Sequence, residues 1–115
     1  MKLLIVSNDR AFKFSLSCAL KILEPEIECI TTLHEEALEK FLIEDYDTFL
    51  INDYSEKGDP NKYKWAKGTQ TYRDIKASAQ PEQRIFRCGF DSYDHEDYIK
   101  APFDLTELIK KLQGG

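Results

Sequence analysis

The stretch Leu3-Leu4-Ile5-Val6-Ser7-Asn8-Asp9, near the start of the chain, has four apolar residues followed directly by three polar ones. A continuous apolar run is typical of a strand that is buried on both faces, as the strands of a parallel sheet are. The polar residues then mark the end of that strand. We therefore predict a parallel β-sheet whose first strand occupies residues 3–6.

Helical and strand patterns alternate along the rest of the chain. Phe12, Leu16 and Leu20 recur at helical spacing, with Asp9 placed to cap the helix and Pro25 just beyond its end. Strands are predicted at residues 27–31 and 48–51, and further helices around Ala37, Leu38 and Phe41, around Tyr72, Ile75 and Ala79, and around Leu105, Leu108, Ile109 and Leu112. Thr32 and Glu35 have the spacing of a capping box before the second helix. This alternation predicts a doubly wound α/β sheet of flavodoxin-like order 2-1-3-4-5.

Length and composition describe one ordinary globular domain, residues 1–115, with 42% hydrophobic and 32% charged residues. We find no signal peptide and no apolar run long enough for a membrane span, so a cytoplasmic location is expected. The net charge of −5 disfavours direct nucleic-acid binding. The closing Gln113-Gly114-Gly115 suits either a chain end or the start of a linker.

Three polar strand ends carry a family resemblance. The first strand with its polar end, the segment Tyr46-Asp47-Thr48-Phe49-Leu50-Ile51-Asn52-Asp53 and the segment Tyr98-Ile99-Lys100-Ala101-Pro102-Phe103-Asp104 resemble strands one, three and five of response-regulator receiver domains. The resemblance extends over nearly the whole chain. It implies a role in two-component signalling, in which receivers accept a phosphoryl group on aspartate.

The positions that carry the family's chemistry are all changed in this sequence. Ser7 and Asn8 stand where the resemblance places two magnesium-binding acids, and Asn52 stands at the phosphoacceptor aspartate. Cys88 replaces a Ser or Thr, and Ala101 replaces the lysine. A hydroxyl and an amide are poor replacements for two carboxylates around magnesium. The resemblance therefore implies a degenerate phosphorylation pocket.

Neighbouring residues offer only displaced versions of the lost groups. Lys100 lies one residue before the lysine position, and a shift of one residue in a strand turns a side chain to the other face. Asp53, one residue after Asn52, is displaced in the same way as a phosphoacceptor. Asp9 and Asp53 together are candidates for a weak divalent-cation site, although capping of the first helix also explains Asp9. We expect no bound metal and no cofactor.

Tyr98 aligns with the receiver's switch aromatic, whose rotamer reports phosphorylation in that family. Without a phosphoryl signal, we expect one fixed rotamer. Cys18, Cys29 and Cys88 lack metal-ligand spacing and are predicted to pack as small apolar residues. His34 and His95 have no evident partner in the sequence and are predicted to lie on the surface.

A long, basic connection follows the third strand. It runs from Asn52 to Gly68, which resembles the glycine that opens the third receiver helix. Its insert, Ser55 to Lys67, carries the lysines Lys57, Lys62, Lys64 and Lys67, with Tyr63 and Trp65 between them. Loops at the carboxyl ends of parallel strands often form binding sites. The insert is therefore either a recognition loop for an acidic or phosphate-bearing ligand or a solvated insertion anchored by its tryptophan.

The fourth crossover, in contrast, is short. The dozen residues between Cys88 and Ala101 are too few for a full helix and the strand after it, so the fourth helix is predicted to be shortened or absent. The missing helix would leave part of the sheet open. We predict an exposed interaction surface there, formed by Ile85, Arg87, Tyr98 and Ile99.

These features favour a pseudo-receiver, a phosphorylation-independent protein-interaction module in signal transduction or transcription regulation, and not an enzyme. The resemblance implies a histidine kinase, another regulator or an output domain as partner, and a homodimer is the alternative. Two other functions stay open. One is a small-ligand sensor or divergent enzyme that uses the lysine-rich insert, and the other is a receiver with a rewired phosphosite at Asp53.

Overall fold

The computed structural model describes residues 1–52, 62–89, 97–100 and 103–114, with residues 62–69 described by their backbone. The strands are β1 (Lys2–Val6), β2 (Glu28–Thr32), β3 (Thr48–Asn52), β4 (Arg84–Gly89) and β5 (Tyr98–Lys100), and the helices are α1 (Arg10–Leu23), α2 (His34–Ile43), α3 (Lys62–Ser78) and α4 (Leu105–Leu112). All strand pairings are parallel, in the order β2-β1-β3-β4-β5. The predicted flavodoxin-like fold is confirmed.

Two apolar clusters sandwich the sheet, because successive side chains of each strand point to opposite faces. Leu3, Ile5 and Leu50 face α1 and α4, whereas Leu4, Val6 and Phe49 face α2 and α3. The central strands β1 and β3 are thus covered on both sides. No helix in the described ranges has the length and apolar character needed to cross a membrane.

The ends of α1 follow the sequence signals. The carboxylate of Asp9 accepts a hydrogen bond from the backbone N–H of Phe12 at 3.1 Å, and the helix ends at Leu23, two residues before Pro25. This cap supplies an acceptor for an otherwise unpaired N–H of the first turn and anchors the helix directly after β1.

The start of α2 differs from the prediction. Thr32 is the last residue of β2, where it is buried and its carbonyl accepts from the N–H of Ser7, so the predicted capping box with Glu35 is wrong. The helix instead begins after Leu33, which makes no side-chain cap. Sheet pairing holds Thr32 in place, and the side chain of Asn8 takes over the cap.

The fourth crossover is short in sequence. Only residues 90–97 separate β4 from β5, and within the described ranges no helix lies between these two strands. The helix that precedes β4 in the chain, α3, begins at Lys62 and not near Gly68. Residues 62–67 of the predicted insert therefore form the first turns of a helix, and residues 53–61 lie outside the described part of the chain.

Candidate functional site: the closed carboxyl edge of the sheet

Ser7 and Asn52 meet at the carboxyl ends of the two central strands. The two residues are 1% and 2% exposed, and Nδ2 of Asn52 donates to Oγ of Ser7 at 2.9 Å. The backbone N–H of Asp9 also donates to this hydroxyl oxygen, again at 2.9 Å. The serine oxygen therefore accepts two hydrogen bonds in a buried position. Ser7, which aligns with a magnesium-binding acid of receivers, and Asn52, which aligns with the phosphoacceptor, are thus hydrogen-bonded to each other.

Both polar atoms of the Asn8 side chain also make hydrogen bonds. Its Oδ1 accepts from the backbone N–H of His34 at 2.9 Å, and its Nδ2 donates to Oε1 of Glu35 at 3.2 Å. The amide thus caps α2, supplying the acceptor that a first-turn N–H of a helix lacks. The residue that aligns with the second acid therefore joins the end of β1 to the start of α2.

The side chain of His34 contacts the same edge from the opposite face of the sheet. Its Nε2 lies 2.8 Å from the backbone carbonyl oxygen of Asn52, and its Nδ1 lies 2.9 Å from Oγ1 of the buried Thr71. A carbonyl oxygen only accepts, so Nε2 carries the hydrogen. In the neutral ring, Nδ1 then accepts from the threonine hydroxyl. The imidazole links α2, β3 and α3.

The prediction that His34 is a surface residue without a partner is wrong. The physical reason is topology, because the start of α2 lies beside the end of β3 in this sheet order, and the ring meets a carbonyl at that edge. Thr71 was also missed, since nothing in the sequence sets it apart on α3. His95 lies outside the described residues.

The described residues at this edge do not fit a magnesium ion. Magnesium binds oxygen ligands, usually with one or two carboxylates, in near-octahedral geometry. Ser7 and Asn8 supply no carboxylate and are already hydrogen-bonded, while the carboxylate of Asp9 caps α1. Across the described ranges, no group of three or more His, Cys, Asp or Glu side chains is placed to hold a metal ion. Asp53 lies outside those ranges.

Two further residues of the predicted phosphorylation pocket, Cys88 and Lys100, lie on β4 and β5. Cys88 pairs in register with Asn52 and is completely buried in the cluster that faces α1 and α4. Ile99 shares that cluster, so the next residue, Lys100, lies on the opposite face, where it is exposed. Ala101 lies outside the described residues.

Of the other cysteines, Cys18 is exposed, contrary to the packing prediction, and Cys29 is half-buried.

The four residues predicted to form an exposed interaction surface are buried or half-buried, so that prediction is wrong. Ile85, Tyr98 and Ile99 are only 8%, 6% and 6% exposed, and Ile99 faces the other side of the sheet from Ile85. Arg87 is half-buried between two rings, with its Cζ 5.0 Å from the ring centroid of Tyr72 and 5.8 Å from that of Tyr98. Tyr72 belongs to α3, which packs on the face of β4 that carries Ile85 and Arg87.

A second contact ties α3 to the start of β5. Nζ of Lys76 lies 3.0 Å from the hydroxyl of Tyr72 and 3.4 Å from the carboxylate of Asp97. The hydrogen bond with Tyr72 raises the pKa of Lys76, and the charge of Asp97 adds to the rise. Below them is a hollow of about 360 Å³ beside Ile85 and Phe86. These contacts join α3 to the residue that precedes β5.

The lysine-rich insert is divided by the start of α3. Lys62, Lys64, Trp65 and Lys67 belong to the first turns of that helix, by its backbone, while Lys57 lies outside the described residues.

Known structures of the same architecture include several receiver domains. No protein-family model matches the chain, and no curated protein is similar to it. The receiver domain of a response regulator from Francisella matches with a TM-score of 0.75 and 15% identity, over 97% of this chain and 93% of that one. A two-component response regulator from Clostridium difficile gives 0.70 and 21%, over 99% and 93%.

A third similar structure is the receiver domain of a sensor histidine kinase from Pseudomonas aeruginosa, which holds a magnesium ion in its active-site cleft. It matches with a TM-score of 0.69 and 19% identity, over 98% of this chain and 94% of that one. At these identities the likeness concerns the fold. The chain has the CheY-like fold of response-regulator receiver domains.

Proposed function

We propose that this chain is a pseudo-receiver, a protein-interaction module of cytoplasmic signal transduction whose binding does not depend on phosphorylation. The observation that carries the proposal is the buried hydrogen bond between Asn52 and Ser7. Phosphoryl transfer in receivers requires a carboxylate acceptor and positive charge to stabilise the transferring group. Here the acceptor position holds the amide of Asn52, which is already hydrogen-bonded to Ser7.

Three further contacts support a fixed rather than switched state. Asn8 caps α2, His34 joins β3 to α3, and Arg87 stacks on the buried ring of Tyr98. A two-state switch needs a ligand with different affinity for the two states. With the acid pair, the phosphoacceptor and the lysine all replaced, the family's own ligand has no such site. The module accordingly presents one surface to its partner at all times, and it has no enzymatic activity.

The partners that suit this role are a histidine kinase, another regulator or an output domain. The test is a binding experiment with the chain as bait in extract from its native cell, with and without acetyl phosphate and magnesium. We expect the same partner in the same amount under both conditions. Binding that appears only with acetyl phosphate would overturn the proposal, and so would the absence of any specific partner under both conditions.

A further inference from the structure

The outer edge of β2 carries unpaired backbone groups. The N–H of Glu28 donates to the carbonyl of Met1, and the carbonyl of Thr32 accepts from Ser7, so residues 28, 30 and 32 direct their backbone groups toward β1. Backbone groups alternate in direction along a strand of a parallel sheet. Cys29 and Thr31 therefore direct an N–H and a C=O each away from the sheet. Within the described part of the chain, no hydrogen bond to these four groups is formed.

This edge has few of the features that keep sheet edges from pairing. Protected edges are usually very short or carry lysine, proline or a bulge. The strand β2 has five residues, one charge at its first position and the β-branched residues Ile30, Thr31 and Thr32. The opposite edge, β5, has three residues and ends in Lys100. Of the two edges, β2 is the one suited to accept another strand.

An apolar flank runs beside β2. Phe14 is 69% exposed and Cys18, one turn later on α1, is also exposed. Between this helix and β2 lies a hollow of about 490 Å³, to which Ile27 and Cys29 contribute. A strand added to β2 would cover part of this hollow, so apolar burial would accompany the backbone hydrogen bonds.

We propose that the occupant is a second copy of this chain, paired antiparallel through β2 about a two-fold axis at Ile30. In this register Cys29 lies opposite Thr31 of the second copy, and Thr31 lies opposite its Cys29, so all the outward N–H and C=O groups of both strands are paired. Glu28 lies opposite Thr32 of the second copy, and no like charges oppose each other. The result is a continuous ten-stranded sheet built from two five-stranded ones.

Neighbouring registers are less well matched. A two-fold axis at Cys29 would require the backbone groups of Ile27, whose N–H already donates to the carbonyl of Glu24. An axis at Thr31 would require those of Leu33, whose carbonyl already accepts from Glu36. The axis at Ile30 uses only groups that point outward from the strand. The proposal does not depend on whether the chain is a pseudo-receiver.

The register is tested by a disulfide on the axis. Two Ile30 residues would form a non-hydrogen-bonded pair with Cα atoms about 4.5 Å apart, inside the range of roughly 4.4–6.8 Å that a disulfide accepts. In a chain that carries Cys18→Ser and Cys29→Ser, we expect Ile30→Cys to form a covalent dimer with oxidised glutathione, which takes up the two electrons. The matched control, Thr31→Cys in the same background, places its thiols diagonally, about 7–8 Å apart, and should stay monomeric on a non-reducing gel.

The unmodified chain provides the second measurement. We expect sedimentation equilibrium to show a dimer that dissociates on dilution, and Thr31→Pro to abolish it while the circular dichroism spectrum is unchanged. Proline is tolerated on an edge strand where its missing N–H faced solvent. A wild-type monomer at all concentrations overturns the proposal. A dimer that survives Thr31→Pro, or cross-linking of Thr31→Cys in preference to Ile30→Cys, overturns it as well.

Discussion

Ser7→Ala is the smallest change that opens the network at the carboxyl edge. The hydroxyl oxygen of Ser7 accepts from the side-chain amide of Asn52 and from the backbone N–H of Asp9, both at 2.9 Å. Without it, the side-chain amide of Asn52 loses this hydrogen bond, and the residue is only 2% exposed, so water has little access to replace it. The loss of a hydrogen bond made by a buried donor costs about 1–3 kcal/mol. The N–H of Asp9, which loses the second bond, is only partly buried. We therefore expect the free energy of unfolding to fall by about 2–3 kcal/mol.

Urea unfolding followed by far-ultraviolet circular dichroism measures this loss. The matched control is Ser17→Ala, because the hydroxyl of Ser17 donates to the carbonyl of Phe14 at an exposed position on α1, where water replaces it. Alanine also favours the helix, so the control should change the free energy by no more than about 0.5 kcal/mol. If Ser7→Ala costs no more than Ser17→Ala, the buried hydrogen bonds of Ser7 do not stabilise this edge of the sheet.

Three other substitutions test separate parts of the structure. His34→Ala removes the bonds to the carbonyl of Asn52 and to Thr71, so the free energy of unfolding should fall by about 1–3 kcal/mol; an unchanged urea midpoint would show that the ring does not join the helices. Arg87→Glu loses contacts with two rings and should cost about 1–3 kcal/mol in the same assay, with Arg87→Met costing less because it keeps the apolar stem. Equal stability of wild type and Arg87→Glu would contradict the half-buried position of Arg87 between the two rings. Asn52→Asp should not restore phosphorylation by acetyl phosphate, since coupled catalytic groups are strongly non-additive, and a phosphorylated product would show that one carboxylate suffices.

Local sequence signals were sufficient for the architecture. The apolar runs of β1 and β3 are long enough to specify buried strands, and Asp9 lies at the position from which its carboxylate caps α1. These features depend on residues close together in the chain. The order of the strands follows from the alternation with helices, which leaves few topologies for a five-stranded parallel sheet.

Long-range contacts decided the features that the sequence did not predict. His34 meets its two partners across 18 and 37 residues of chain, and no local pattern encodes either contact. Thr32 has the spacing of a helix cap, but pairing with Val6 holds it in β2. Arg87 was expected to be exposed because the fourth crossover is short. The chain covers it instead with a ring from the preceding helix, Tyr72.

We infer that the carboxyl edge of the sheet, where Asn52 is hydrogen-bonded to Ser7, cannot hold a phosphoryl group. The most direct measurement is the intact mass of the chain after incubation with acetyl phosphate and magnesium, with a phosphorylatable receiver domain as positive control. We expect an unchanged mass, because Asn52 is hydrogen-bonded to Ser7 and the described residues include no group of three or more side chains placed to hold a metal ion. A gain of one phosphoryl group, mapped by peptide analysis to Asp53 or Asp9, would contradict it.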